Sequence, residues 1–293
     1  MIVLFSAGGR TGNQLFQIAY AVSNRRGSEW IVTFGFGKTR LMLAEAPWKR
    51  RWVNIESRVL GPFLEAILYP AIYHSLVKTG LVTLHADRRS VPVVRRGKIP
   101  FLIIMKGYFE SPQLHARNLA EFFRLDETIL AKVRPVLAAL PQGSVPVFVH
   151  VRRGDLVDHV PRGPSDIKRM LPDSYYRKAV SGFLHRNPRS FFIVVGDDPD
   201  HAEDLFRAID SKLISRRSVA EDLALMSLCH GGVLSNSTFA WWGAFLGNQK
   251  LGYSVPKYWS GWAAGVWDPP AILSTFMTDL IEVLPSDIPW GRV

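Results

Sequence analysis

The chain has 293 residues, 47% hydrophobic and 21% charged, which supports a sizeable core divided over two domains of roughly 140 residues each. Its net charge of +11 favours an anionic partner: a nucleotide, an anionic membrane or nucleic acid. The lone Cys229 excludes an internal disulfide framework and a cysteine-based zinc site, and no stretch reaches the ~18 uncharged apolar residues of a membrane span. Met1 runs directly into an apolar stretch that lacks the basic region of a signal sequence. Arginine pairs at 25–26, 50–51, 88–89, 95–96, 152–153 and 216–217 are too dispersed to form a single nucleic-acid stripe.

In chain order, residues 2–6 read as a strand, followed by a glycine loop, AGGRTGNQ, and a helix from Leu15 to Arg26. Leu15, Ile18, Ala19 and Val22 share one face of that helix, and Gly27 stops it. Residues 30–34 read as the next strand. The stretch 38–105 holds basic loops, an apolar segment at 59–77 and a short strand at 101–105. The 59–77 segment is broken by Glu65, Pro70 and His74. It reads either as a buried helical pair or as an amphipathic segment lying on a membrane surface. The connection LPQGSVP, 140–146, then separates a helical pattern from a new strand and sets the expected domain boundary. This divides the chain into residues 1–140, residues 141–270 and a tail, 271–293, expected to pack back on the first domain. Within 141–270, strands at 145–151, 191–195 and 232–235 alternate with helices at 173–186, 200–209, 218–230 and from Ser237. That alternation predicts a parallel sheet with helices on both faces. Such sheets bind ligands beyond the carboxyl ends of their strands, where residues 150–155, 196–198 and 235–238 fall.

Three loops carry chemistry. GGRTGNQ, between a strand and a helix, reads either as a turn whose backbone N–H groups approach a phosphate or as a tight turn with Asn13 as N-cap. It is not a G-x-G-x-x-G fingerprint. HVRRGD, 150–155, places two guanidiniums at a strand end, and the arginine fork suits phosphate oxygens. Strand alternation puts His150 and Arg152 on one side and Arg153 on the other, so Arg152 is expected to face a ligand while Arg153 pairs with Asp155. The alternative is an ion-pair turn with no ligand. LSNSTFAWWGAF, 234–245, supplies Asn236, Ser237 and Thr238 at a helix start, which makes either a second anion cradle or an ordinary N-cap. Trp241 and Trp242 suit helix packing better than sugar stacking. In the preceding helix, Ser218 and Glu221 have capping-box spacing, whereas Asp222 either accepts from a guanine edge or favours the helix start. Asp197 and Asp198, in GDDP, suit turn and cap duties better than metal binding. His85, His115, His185 and His201 are isolated and receive no role.

Together these segments resemble the α1,2-fucosyltransferase family (glycosyltransferase family 11), part of the wider fucosyltransferase group with an H-x-R-R-x-D signature. GGRTGNQLFQIAYA is similar to that family's G-G-x-G-N-Q-x-F-Q-x-A, with one residue inserted at Arg10-Thr11. MKGYFES resembles its G-Y-[WF]-Q-S segment, with Glu110 in place of glutamine. HVRRGD matches the signature, and the stretch from Glu221 to Leu246 resembles the long carboxyl-proximal motif. The resemblance covers roughly residues 1–30 and 105–260. It implies a GT-B-like α/β fold, two Rossmann-type domains facing a cleft that holds GDP-fucose. It further implies that Arg152 contacts the β-phosphate, His150 lies near ribose or fucose, and Asp222 reads guanine. Asn236, Ser237 and Thr238 would hold phosphate, and Gly9, Gly12 and Asn13 would form the loop beside the leaving phosphate. His150 and Asp155 are the candidate bases.

The implied activity is metal-independent and without cofactor: inverting transfer of L-fucose from GDP-β-L-fucose to a glycan hydroxyl, galactose O-2. A different linkage, another sugar nucleotide and a non-catalytic nucleotide-sugar binder are the alternatives. The expected partners are GDP-fucose and an oligosaccharide or lipid-linked glycan. No nucleic acid is expected, and the expected location is the bacterial cytoplasm with peripheral contact at an anionic inner membrane.

Overall fold

Parallel pairing dominates both halves of the chain. The computed structural model describes residues 2–5, 9–25, 28–56, 75, 78–88, 91–109, 123–157, 170–247, 251–256 and 278–281. Almost all of the 59–77 segment, Gly27 and Glu110 lie outside these residues. The chain divides into two compact units, Met1–Asp126 and Glu127–Val293, each with a six-stranded sheet among the described residues.

In the first unit β1 (Ile2–Phe5), β2 (Ile31–Phe34), β3 (Trp52–Ile55), β4 (Val82–Arg88), β5 (Val91–Arg95) and β6 (Ile99–Lys106) lie in the order β3-β2-β1-β6-β4-β5. Every neighbouring pair is parallel except β4 with β5. Helix α1 (Thr11–Asn24) follows β1, and α2 (Gly37–Met42) follows β2. Leu15, Ile18 and Ala19 are fully buried, as their shared face predicts, and so are Phe16 and Gln17 from the flanks of that face. Because α1 is covered so widely, its polar groups need partners. Gln17 Nε2 donates to Gly107 O at 2.8 Å, and the Tyr20 hydroxyl lies 2.9 Å from His85 Nδ1. Thr33, buried on β2, donates to Asn54 Oδ1 and accepts from Trp52 Nε1, which satisfies three polar groups at once.

In the second unit β7 (Val145–Val151), β8 (Ser190–Gly196), β9 (Lys212–Ile214), β10 (Gly231–Val233), β11 (Gly252–Pro256) and β12 (Thr278–Ile281) form an all-parallel sheet, β12-β11-β10-β7-β8-β9. Helices α3 (Glu127–Ala138), α4 (Asp173–Arg186), α5 (Pro199–Leu205), α6 (Val219–Leu228) and α7 (Thr238–Phe245) complete it. β7 lies mid-sheet, and Val147, Phe148, Val149 and Val151 are at most 1% exposed, as a parallel strand covered on both faces requires. On one face these valines pack with Tyr175, Tyr176, Ala179, Val180 and Phe183 of α4. On the other, the Phe148 ring lies against β10 so closely that a Cβ on Gly232 would come within 2.3 Å of it.

The units divide between Asp126 and Glu127 rather than at 140, because α3 packs on α6 and so belongs to the second unit. The described part of the tail, β12, pairs with β11 in the second unit's sheet. None of the described helices is long and apolar enough to cross a membrane.

Candidate functional site

The second unit builds its sheet outward from β7 in two directions: β8 and β9 on one side, β10 to β12 on the other. The direction reverses between β7 and β10, and the carboxyl ends flanking such a reversal form the ligand crevice of open parallel sheets. His150, near the end of β7, is 4% exposed, and its Nδ1 lies 2.7 Å from Ser235 Oγ beyond the end of β10. The imidazole therefore ties the two strand ends together. Behind them the Tyr175 hydroxyl donates to Leu234 O at 2.6 Å, and burial pushes both the Tyr175 and Tyr176 phenols well above their ordinary range.

Ser235, Asn236, Ser237 and Thr238 are all buried at the junction from β10 to α7. Ser237 Oγ accepts from Phe239 N–H at 3.2 Å, the N-cap anticipated from the sequence. One capping residue is enough for a helix start, yet four consecutive polar side chains are buried here. Trp241 and Trp242 are buried as well, in keeping with a packing role. A Cβ on Gly243 would lie 2.8 Å from Met226 Cβ, so α7 sits directly on α6.

The two arginines after β7 differ from expectation in one respect. Arg152, not Arg153, pairs with Asp155, and the other end of the Arg152 fork pairs with Asp197 beyond the end of β8. The reason is the turn: Gly154 takes a left-handed φ of +32° and opens a 3-10 turn over Gly154–Leu156, which brings Asp155 back to Arg152. Arg153 instead donates from Nε to Asp198 Oδ2 at 3.1 Å, and its backbone N–H donates to Asp197 Oδ1 at 2.7 Å. Asp198 also caps α5, accepting from His201 N–H at 3.1 Å, and that bond together with Arg153 holds its carboxyl below the usual range. The Asp197-Asp198 pair thus performs turn and cap duties. His201, given no role above, joins this network through Asp173 at 3.0 Å.

Asp222 projects from the first turns of α6. Ser218 and Glu221 form the capping box that their spacing predicts, so neither Glu221 nor the cap accounts for Asp222. The Asp222 carboxylate is 8% exposed and accepts from Ser215 Oγ at 2.5 Å. Burial raises its pKa to about 6, with the Ser215 hydrogen bond opposing that shift. Ser215 follows the three-residue β9, and no sequence pattern singled it out. Among the described residues no group of three or more His, Cys, Asp or Glu is disposed to hold a metal ion.

In the first unit α1 starts at Thr11, so Arg10 is the N-cap residue and Asn13 lies inside the first turn; Asn13 is not the N-cap. Gly12 is buried in that turn. The Asn13 side chain lies against Gly9, where a Cβ would come within 2.5 Å of Asn13 Cβ.

These features define a GT-B-like α/β protein with two Rossmann-type units. POFUT1 in complex with GDP-fucose shares this fold, with a TM-score of 0.52 at 12% identity over 87% of this chain and 97% of that one. The model of glycosyl transferase family 11 matches residues 94–261, more than half of the chain, and the chain belongs to that family. It is similar to an alpha-1,2-colitosyltransferase of Escherichia coli, 26% identical over 278 residues, which span 88% of this chain and 92% of that protein. The O-antigen biosynthesis glycosyltransferase WbnK of Escherichia coli is 33% identical over 167 residues, 53% of this chain and 55% of its own.

Proposed function

We propose that the chain transfers L-fucose from GDP-β-L-fucose to galactose O-2 of a glycan, with inversion and without a divalent cation. The observation that carries this reading is a set of groups beyond the strand ends of the second unit: an arginine fork after β7, a buried polar helix start after β10, and the buried Asp222 carboxylate on α6, bonded to Ser215 beyond β9. Asp222 accepts from the guanine edge, Arg152 takes the β-phosphate, and Asn236, Ser237 and Thr238 with the N–H groups of α7 take further phosphate oxygens. The acceptor hydroxyl attacks the anomeric carbon from the face opposite the nucleotide, and the bond to the leaving pyrophosphate breaks. Charge building on that pyrophosphate meets the guanidinium and the helix dipole, preorganised electrostatics of the kind a metal would otherwise supply. The hydroxyl proton goes to a base late in the step, with His150 and Asp155 as the candidates.

The alpha-1,2 linkage in the name of the Escherichia coli colitosyltransferase supports O-2 as the acceptor position. The same relative favours a second reading, a colitosyl rather than a fucosyl donor. Titration with GDP, ADP and UDP in EDTA should show binding of GDP alone. GDP release from GDP-fucose in the presence of lactose or N-acetyllactosamine should follow, with the product linkage read by NMR. Equal binding of the three nucleotides, or no GDP release with any galactoside, would overturn the assignment.

A further inference from the structure

Arg152 is held from two sides by carboxylates of very different exposure. Its own side chain is 14% exposed, that of Asp197 is 25% exposed, and that of Asp155 is 67% exposed. Asp197 reaches across from the end of β8 and uses both oxygens: Oδ1 accepts from Arg153 N–H at 2.7 Å, and Oδ2 pairs with Arg152 Nη1. The turn above is shaped around this contact. A Cβ on Gly154 would lie 2.4 Å from Asp197 Oδ2 and 2.9 Å from Arg152 Nη1, so only glycine leaves room for the pair. Asp155 approaches from the solvent side, on the 3-10 turn, and occupies the other fork atom, Nη2.

We propose that these two carboxylates divide the work on one guanidinium: Asp197 is a positioning residue that aims the fork, and Asp155 is a placeholder that the donor pyrophosphate displaces. This rests on reading the site as one for a nucleoside diphosphate. An exposed ion pair in water is weak, whereas a phosphate oxygen offered to the same nitrogen carries more charge and leaves no unpaired donor. A carboxylate left beside the pyrophosphate would repel it, so Asp155 must swing outward as the nucleotide enters. Asp197, partly buried and anchored to a backbone N–H, stays in place and keeps Nη1 aligned. The same step separates the two candidate bases, because a carboxylate displaced into solvent is not positioned to receive the acceptor proton.

The test is calorimetric titration of GDP into the full chain and its variants. Asp155→Asn is expected to tighten GDP binding about three- to tenfold, because it removes a competitor and a like charge. Asp197→Asn is expected to weaken binding about tenfold, because the new amide N–H₂ would face Arg152 Nη1, donor against donor. In an Arg152→Ala background, measured at millimolar GDP, both effects should vanish, since each acts through that guanidinium. A defect in folding alone would weaken binding in both variants and persist without Arg152. If Asp197→Asn does not fold, the gain in Asp155→Asn and its loss without Arg152 still decide the matter. Unchanged or weaker binding by Asp155→Asn, with wild type binding GDP, overturns this inference alone. A wild type that does not bind GDP overturns the nucleotide reading itself.

Discussion

Two residues carry the proposed chemistry, and each makes a prediction. Arg152→Ala removes the group proposed to meet the developing charge, and transfer should fall by ~100-fold or more in kcat. The Asp197 carboxylate keeps its bond to Arg153 N–H, so the thermal melt should move by no more than a few degrees. Retained turnover would exclude Arg152 from the reaction. Asp222 adds a pH dependence. Its pKa of about 6 exceeds the ordinary aspartate value, so between about pH 4 and 6 the folded chain holds a proton that the unfolded chain has released. Its contribution to stability is therefore fully present at low pH and is lost as pH rises through 6. GDP binding should respond oppositely: the proposed role of Asp222 as acceptor for guanine N–H groups needs the ionised form, so affinity should fall as pH drops below 6, by up to about tenfold per pH unit. Asp222→Asn should flatten both profiles when melts and titrations are compared across that range. The expected pairing of Arg153 with Asp155 did not hold, and strand alternation could not identify Asp197 as a partner of Arg152, because Asp197 lies beyond the end of the next strand and is brought close only by the register of β7 with β8.

Among the elements, those of the second unit were the most legible. β7 and β8 are runs of Val, Ile and Phe, and the helices between strands carry their own start signals. Ser218 is one such signal. Its replacement by alanine removes the half of the capping box in which Ser218 Oγ accepts from Glu221 N–H, while the bond from Ser218 N–H to Glu221 Oε2 stays, and should lower stability by about 1 kcal/mol in denaturant titration. Tyr175 of α4 makes a larger claim. The phenylalanine variant leaves Leu234 O, at the root of the α7 junction, without its 2.6 Å partner and should lower stability by about 1–3 kcal/mol. No change in the melt would show that the hydroxyl contributes nothing. β9 and β12 escaped notice because three or four residues carry too little periodicity, and β10, expected at 232–235, starts one residue earlier and ends at Val233. In the first unit β4 and β5 were hidden for another reason: VTLHADR and VPVVR mix charges with apolar residues. That composition suits an edge hairpin, with Pro92 on the outermost strand, and not a buried run.

At the level of the whole molecule, both sheets reverse direction beside their first strand; strand–helix alternation anticipated the parallel sheet of the second unit, and the family resemblance implied two Rossmann-type units, but neither gave the strand order. The charge of +11 was less informative, because composition alone does not separate one built anion site from a diffuse basic surface. Salt makes that separation. A protein that neutralises many nucleic-acid phosphates loses about 10³–10⁵ in affinity between 50 and 200 mM salt, since each phosphate contact releases counterion. A diphosphate held, as proposed, mainly by one arginine and a helix start would involve few charges. Arg152, only 14% exposed, is also screened less than a surface cation. GDP affinity should therefore fall by less than about tenfold over the same salt range, read by calorimetry at fixed pH. A decline of 10³ or more would place the anion on the dispersed surface arginines instead of at the ends of β7 and β10.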